Sequence, residues 1–340
     1  MIPRRRLLAL VPALACAGLV ACDKASEPSG GEADVVRFSI LSAETAHSMG
    51  EYWAPILKDM EAETGLKVKP FFSSNYATLV EAMRFKKTDL GWFSNQSGLE
   101  AVRRANGEVF ARTFDPSGQD GYKSLLIVNG KSKLTLDQVL ACNKRLTFGI
   151  GDALSTSGTL APMTYLFAPR GIKPAACFKQ VHSANHQTNL FAVASGELDV
   201  ATNNSTSMMI NRKNGHHEAD EVRVIWESPT LPEDPIIWRK DLDPAVKEKL
   251  RQFFLTYGQG STPQAAQQRA NMAKLNVGGY KPADDSHLLP VREMEATRIW
   301  LEAKEGGDAA KIAAARQSLD AITAQRVALE ARTRAPAAAQ

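Results

Sequence analysis

Short apolar runs alternate with stretches whose apolar positions recur every three to four residues. Val35 to Leu41 (VVRFSIL) reads as a strand. Tyr52 to Thr64 carries apolar residues at helical spacing, and Gly65 follows as a helix stop. Leu66 to Phe72 returns to a strand, Tyr76 to Phe85 to a helix, and Leu90 to Phe93 to a short apolar strand. This rhythm predicts a mostly parallel sheet covered by helices.

The same alternation resumes farther on. Lys123 to Val128 reads as a strand, Thr135 to Ala141 as a helix and Leu146 to Ile150 as a strand. A turn at Ser155–Ser157 then opens a helix that runs to Phe167. Phe178 to His182 is a strand, Thr188 to Ser195 a helix, and Val200 to Thr202 a strand end. Val222 to Trp226 and Ile236 to Arg239 are strands again. The order fits two α/β lobes joined by crossings near Gly121–Leu125 and Pro229–Ile236. Residues 35–121 with 237–307 form the first lobe, and residues 122–236 form the second. Ligands of open α/β sheets sit at the carboxyl ends of strands and between domains. Residues 308–335 are alanine-rich and helical, with Ile312, Leu319, Ile322, Val327 and Leu329 on a broad stripe. That stripe either packs on its own lobe or faces a second subunit.

The first residues have a different pattern. Arg4, Arg5 and Arg6 precede an apolar run from Leu7 to Val20, and Leu19-Val20-Ala21-Cys22 is similar to a bacterial lipobox. Residues 1–21 are therefore expected to be a lipoprotein signal peptide, with Cys22 acylated after cleavage. The run is too short for a membrane span. Residues 22–34 are polar and small, as a flexible tether is. Asp23 resembles an inner-membrane retention signal, so the expected place is the periplasm, on the outer leaflet of the inner membrane. Arg5-Arg6 leaves both the general and the twin-arginine export routes open.

This leader changes how the charge is read. The chain has 41 Lys and Arg against 37 Asp and Glu, but three of the arginines belong to the leader, which has no acid. The remainder is close to neutral and offers no nucleic-acid surface. Cys16 belongs to the leader as well, and Cys22 would carry the lipid. Cys142 and Cys177 remain, in an oxidising compartment, either as a disulfide or as two buried thiols. No CxxC spacing points to zinc.

The stretch GIGDALSTSG at residues 149–158 carries the candidate chemistry. An apolar strand ends in small hydroxyl residues and opens a helix. That arrangement gathers Ser155, Thr156, Ser157 and free backbone N–H groups around one point, where an anion fits. The same residues also suit a plain helix cap.

Five segments, in order, resemble the phosphonate-binding proteins of bacterial ABC importers, within the type II periplasmic-binding-protein fold. They are FFSSNYATLVEAMRFKKTDLGWFSN, GYKSLLIVN, TFGIGDALSTSGTLAP, ANHQTNLFAVASGELDVATNN and VIWESPTLPEDPIIWRK. The resemblance implies two α/β lobes with a hinge, an interlobe cleft and a C-terminal helix. It implies a phosphonate grip made by Tyr76 (SSNYA), Tyr122 (DGYKS), Ser155, Thr156, Ser157 and His186 (ANHQTN). No arginine is required, because hydroxyls and backbone N–H groups can donate every bond. Binders of aminoalkylphosphonates in this family also hold the ligand ammonium with two acids. One position is Asp234 (LPEDP). The other is Thr206 (TNNST), where the family carries TNNTE. With one carboxylate missing, the expectation is a compact oxyanion, or a phosphonate with a small uncharged substituent, over aminoethylphosphonate.

The bland readings stand beside these. Tyr76 and Tyr122 also suit core positions, His186 a cap, and Asp234 a turn after proline. The function expected is a lipoprotein that captures phosphonate, phosphite or a phosphate-like anion and hands it to an ABC permease with its ATPase. A periplasmic sensor subunit for a signalling receptor is the alternative. The sequence shows no nucleophile–base pair, no metal-ligand cluster and no nucleotide loop, so neither enzymatic activity nor a cofactor is expected. A homodimer through the C-terminal helix is the further partner considered.

Overall fold

The computed structural model describes residues 35–334, so the leader, Cys22 and the tether lie outside the described residues. The described chain enters on β1 (Val35–Leu41), which buries Val36, Phe38 and Ile40. Helix α1 (Ala46–Thr64) starts before the apolar stripe does, because the Thr45 hydroxyl caps it by accepting from Ser48 N–H. β2 (Lys67–Ser73), α2 (Tyr76–Arg84) and β3 (Leu90–Trp92) follow as expected. Next come α3 (Asn95–Arg104) and β4 (Gly107–Phe114), which the hydropathy pattern did not mark. The first turn of α3 is polar yet buried at Asn95, Gln96 and Ser97, so its stripe is masked.

The second half runs β5 (Ser124–Asn129), α4 (Leu136–Leu140) and β6 (Thr147–Ile150). Two π-helical stretches, Thr156–Leu160 and Met163–Phe167, replace the regular helix expected there. They are followed by α5 (Pro174–Cys177), β7 (Gln180–Ser183), α6 (His186–Ser195), β8 (Val200–Asn204), α7 (Ser205–Lys213) and β9 (Val222–Glu227). The chain then returns through β10 (Pro235–Arg239), α8 (Pro244–Thr256), α9 (Pro263–Ala273) and β11 (Gly279–Pro282). Helices α10 (Leu289–Gly306) and α11 (Ala309–Arg334) end the described chain.

The strands make two sheets, ordered β11-β4-β10-β3-β1-β2 and β7-β6-β8-β5-β9. Each is mixed rather than mostly parallel. β1 pairs in parallel with β2 and β3, and β6 with β7 and β8. β10 runs antiparallel to β3 and β4, and β5 antiparallel to β8 and β9. β11 is antiparallel to β4 as well. β5 and β10 are the strands on which the chain enters a sheet from the other one. The crossings themselves touch: Tyr122 N–H donates to the Leu231 carbonyl at 3.0 Å, and Leu231 N–H returns the bond at 2.7 Å.

The larger core sits on the first sheet, around Trp53, Trp238, Phe38, Phe110 and Phe254. There Phe110 stacks on Trp238 with ring centroids 3.8 Å apart. The second sheet is covered on both faces, as the alternation of β5 requires. Leu126 and Val128 join Phe148, Phe167 and Phe178 on one face. Leu125 and Ile127 join Leu190, Val193 and Met208 on the other. Cys142 and Cys177 form a disulfide beside the first of these clusters. Helix α11 lies on α10: Thr323 and Arg326 both bond the Glu293 carboxylate, and Leu319 is buried. Val327, on the expected apolar stripe, is exposed. Among the described residues, no helix is long and apolar enough to cross a membrane.

Candidate functional site

The carboxyl ends of β1, β3, β6 and β8 open onto one cavity between the two sheets. β6 ends at Ile150, and the chain folds back on itself at two glycines. Gly151 N–H donates to the Gly158 carbonyl at 3.0 Å. A Cβ on Gly158 would lie 2.8 Å from Gly151 Cα and 3.2 Å from His186 Cε1, so only glycine lets this turn close against the histidine. Ser155 caps the helical segment, its Oγ accepting from Gly158 N–H at 3.0 Å. The first-turn amides of Thr156 and Ser157 have no intrahelical acceptor, and the helix end adds partial positive charge.

Each remaining group is placed by the start of an element. Tyr76 opens α2 behind the Asn75 cap, and its hydroxyl faces Ser155. Its backbone N–H donates to Asp152 Oδ2 at 3.3 Å. Tyr122 is held by the crossing, and its hydroxyl faces Ser157. Burial pushes both phenols above their ordinary value, so they remain protonated donors. His186 opens α6, and its Nε2 lies 3.4 Å from Ser157 Oγ. Burial pushes its pKa down to about 4, so the ring is neutral at neutral pH. Asn204, the cap of α7, donates from Nδ2 to Ser157 Oγ at 3.2 Å. Asp234 leads into β10, and its Oδ1 accepts from Asn95 Nδ2 at 3.3 Å. Desolvation, with Glu233 beside it, raises its pKa well above the usual carboxylate range.

Tyr76, Tyr122, Ser155, Ser157, His186, Thr206 and Asp234 all line this cavity. Thr156 does not. Its hydroxyl oxygen accepts from Gln96 N–H at 2.8 Å and is spent on docking the start of α3. Sequence reasoning missed Glu44, Trp92, Thr113, Asn204, Glu233 and Asn276, which also line the wall. Trp92 ends the short apolar strand β3, and the buried Nε1 of its indole has no hydrogen-bond partner. Asn204 stood in the quoted TNN segment without being singled out. Glu44 lies in the loop after β1, which gave no motif at all.

The charge inventory of the wall is one-sided. Neither Lys nor Arg lines it, while Glu44, Glu233 and Asp234 do. Burial lifts the carboxyls of Glu44 and Glu233 to about 7. An anion here is met by neutral donors: phenols, hydroxyls, an imidazole and amides. Among the described residues, no group of three or more His, Cys, Asp or Glu is placed to hold a metal ion.

The family described as "ABC transporter, phosphonate, periplasmic substrate-binding protein" matches residues 38–288. The phosphonates-binding periplasmic protein of Escherichia coli (strain K12) is 42% identical over 260 residues, covering 76% of this chain and 75% of that protein. A crystal structure of a binding protein component of an ABC phosphonate transporter from Pseudomonas aeruginosa superposes with a TM-score of 0.80 at 39% identity, covering 89% of this chain and 98% of that one. A Prochlorococcus marinus (MIT 9301) protein in complex with methylphosphonate shares the fold, with a TM-score of 0.66 at 21% identity over 77% of this chain and 97% of that one. Two mixed sheets, a cleft walled by neutral donors and these likenesses agree: the chain belongs to the phosphonate periplasmic substrate-binding proteins of ABC transporters.

Proposed function

We propose that this protein captures a small phosphorus oxyanion by closing two lobes on it and delivers the ligand to an ABC permease driven by its ATPase. Residues 35–121 with 237–307 make one lobe, and residues 122–236 the other. The observation that carries the reading is the pairing of donors around the hydroxyl turn: Tyr76 with Ser155, and Tyr122 and His186 with Ser157. Each of these groups has a hydrogen to give once an anion replaces its present partner. Ser155, Ser157 and the turn amides contact the phosphonate oxygens. Thr156 contributes through its backbone N–H, since its hydroxyl docks α3.

The role is binding rather than catalysis, in keeping with the Escherichia coli relative, a phosphonates-binding protein. Export and lipidation at Cys22 would tether the protein on the periplasmic side of the inner membrane. Helix α11, with Val327 exposed, is the surface for a second copy if the protein dimerises. Calorimetric titration of the mature protein with phosphate, phosphite and methylphosphonate tests the central reading. Saturable one-to-one binding of at least one of them is expected. Absence of binding to every phosphorus oxyanion tried would overturn it.

A further inference from the structure

The loop after β1 is the part of the cleft wall that the known motifs do not explain. Glu44 is fully buried there, on the loop between β1 and α1. That loop is pinned to the second half of the chain at several points. His186 N–H donates to the Ala43 carbonyl at 3.0 Å, and Thr45 N–H to Gln187 Oε1 at 3.1 Å. Gln187 Nε2 donates to Asn211 Oδ1 at 3.0 Å, and Asn211 Nδ2 donates to Glu44 Oε2 at 3.0 Å. Ser207 also faces the carboxyl. The carboxylate is thus carried to the first turn of α7, next to Thr206. Its other oxygen, Oε1, has no partner at all.

An unpartnered carboxylate oxygen in a dry wall is costly unless a ligand satisfies it. The neighbours do not supply a positive charge. The titratable groups facing Glu44 are Tyr52 from α1 and Tyr76 from α2, both phenols kept neutral by burial. No Lys or Arg lines the cavity, and His186 is neutral. Burial holds Asp234 and Glu44 toward their protonated forms, and an anion alone leaves Glu44 Oε1 without a partner; a cation carried by the ligand would supply that partner and let both carboxyls ionise.

We infer that Glu44 is a specificity-determining residue, the carboxylate that, together with Asp234, receives the ammonium of an amine-bearing phosphonate. The inference rests on the phosphorus-oxyanion reading above. It reverses the preference that Thr206 alone implies: the acid absent from position 206 is supplied by the β1–α1 loop across the cleft. With burial holding the Glu44 carboxyl near 7, an arriving ammonium converts it to the charged form and shares its desolvation.

Glu44→Gln tests this, since the amide keeps the size and can still accept from Asn211. Wild type and variant are titrated with aminoethylphosphonate and with methylphosphonate. The expected result is wild-type preference for the amine-bearing ligand. The variant should lose roughly ten- to hundredfold for that ligand, the size of a lost charge-assisted bond, with methylphosphonate held or improved. Equal weakening of both ligands would make Glu44 a structural tie between loop and helix, and the inference fails. Wild-type preference for methylphosphonate also overturns it while leaving the receptor reading intact. If neither ligand nor any other phosphorus oxyanion binds, both readings fail.

Discussion

Ser155, Thr156 and Ser157 are consecutive hydroxyls that face in different directions. Ser155 is committed to Gly158 N–H and reached by Tyr76, Thr156 is committed to Gln96 N–H, and Ser157 gathers Tyr122, His186 and Asn204. The two extremes predict opposite phenotypes. Ser157→Ala is expected to weaken anion binding by about 1.5–3 kcal/mol with little change in melting. Thr156→Val should lower stability by about 1 kcal/mol, with a smaller effect on affinity, because it strips an acceptor from a buried amide. Calorimetry and thermal melts on the same two variants check both. The sequence announced the trio through its strand–turn–helix context, and the resemblance pointed to most of the tyrosine, histidine and aspartate positions. It did not reveal which hydroxyl turns away, because that depends on α3, an element with no visible stripe. Glu44 was illegible for a related reason: a single acid in a loop carries no periodic signal, and only the fold brings it to α7.

Elements were readable where burial is one-sided. β1, α2 and β3 stand close to where their patterns put them, whereas α3 and α7 hide polar side chains such as Asn95, Gln96, Ser207 and Asn211 against the cleft. A helix whose buried face is built for hydrogen bonding reads as solvated when only hydropathy is considered. The disulfide is likewise invisible to periodicity, since spacing alone left two free thiols equally acceptable. It closes a loop of sequence separation 35 around the β6 and π-helical segment that carries the hydroxyl turn. Reduction, or Cys142→Ser with Cys177→Ser, is expected to remove about 2–4 kcal/mol of stability. Denaturant unfolding with and without reductant measures it. Loss of anion binding at temperatures where the double variant is still folded would mean that the bridge also shapes the turn.

The whole molecule carries opposed titrations. For Glu44 and Glu233, folded pKa values near 7 lie above the ordinary 4.5, so the native state holds their protons longer. Their contribution to stability is full below about 4.5 and is lost as pH rises through about 7. His186 works the other way: its pKa falls from 6.5 to about 4, so stability is lost as pH drops through that window. Melting temperature against pH should therefore be flatter between 5 and 7 than either set alone would give. Glu233→Gln should tilt the curve toward higher stability at neutral pH, and His186→Gln should remove part of the acid-side loss. A wild-type profile unchanged by both substitutions would show that these groups are solvated in the native protein.

The paired crossings have a mechanical side. The two crossing segments, bridged at Tyr122 and Leu231, form a ribbon. A ribbon bends readily about the line across it but resists shear and unequal stretching, so the proposed closure of the lobes would be confined to nearly one rotation. Gly121 tightens that ribbon: at φ 129° its Cα sits where a Cβ would lie 2.5 Å from the Leu231 carbonyl oxygen. Gly121→Ala should pry the two crossings apart and free additional rotations. It is then expected to slow the approach to the bound state and lower affinity while leaving both hydrophobic cores intact, as stopped-flow fluorescence and small-angle scattering can show. Tyr122 rides on the ribbon itself. A donor on the axis of rotation moves least as everything around it swings, so in the proposed closure Tyr122 would be the fixed fulcrum against which an incoming oxyanion is first aligned.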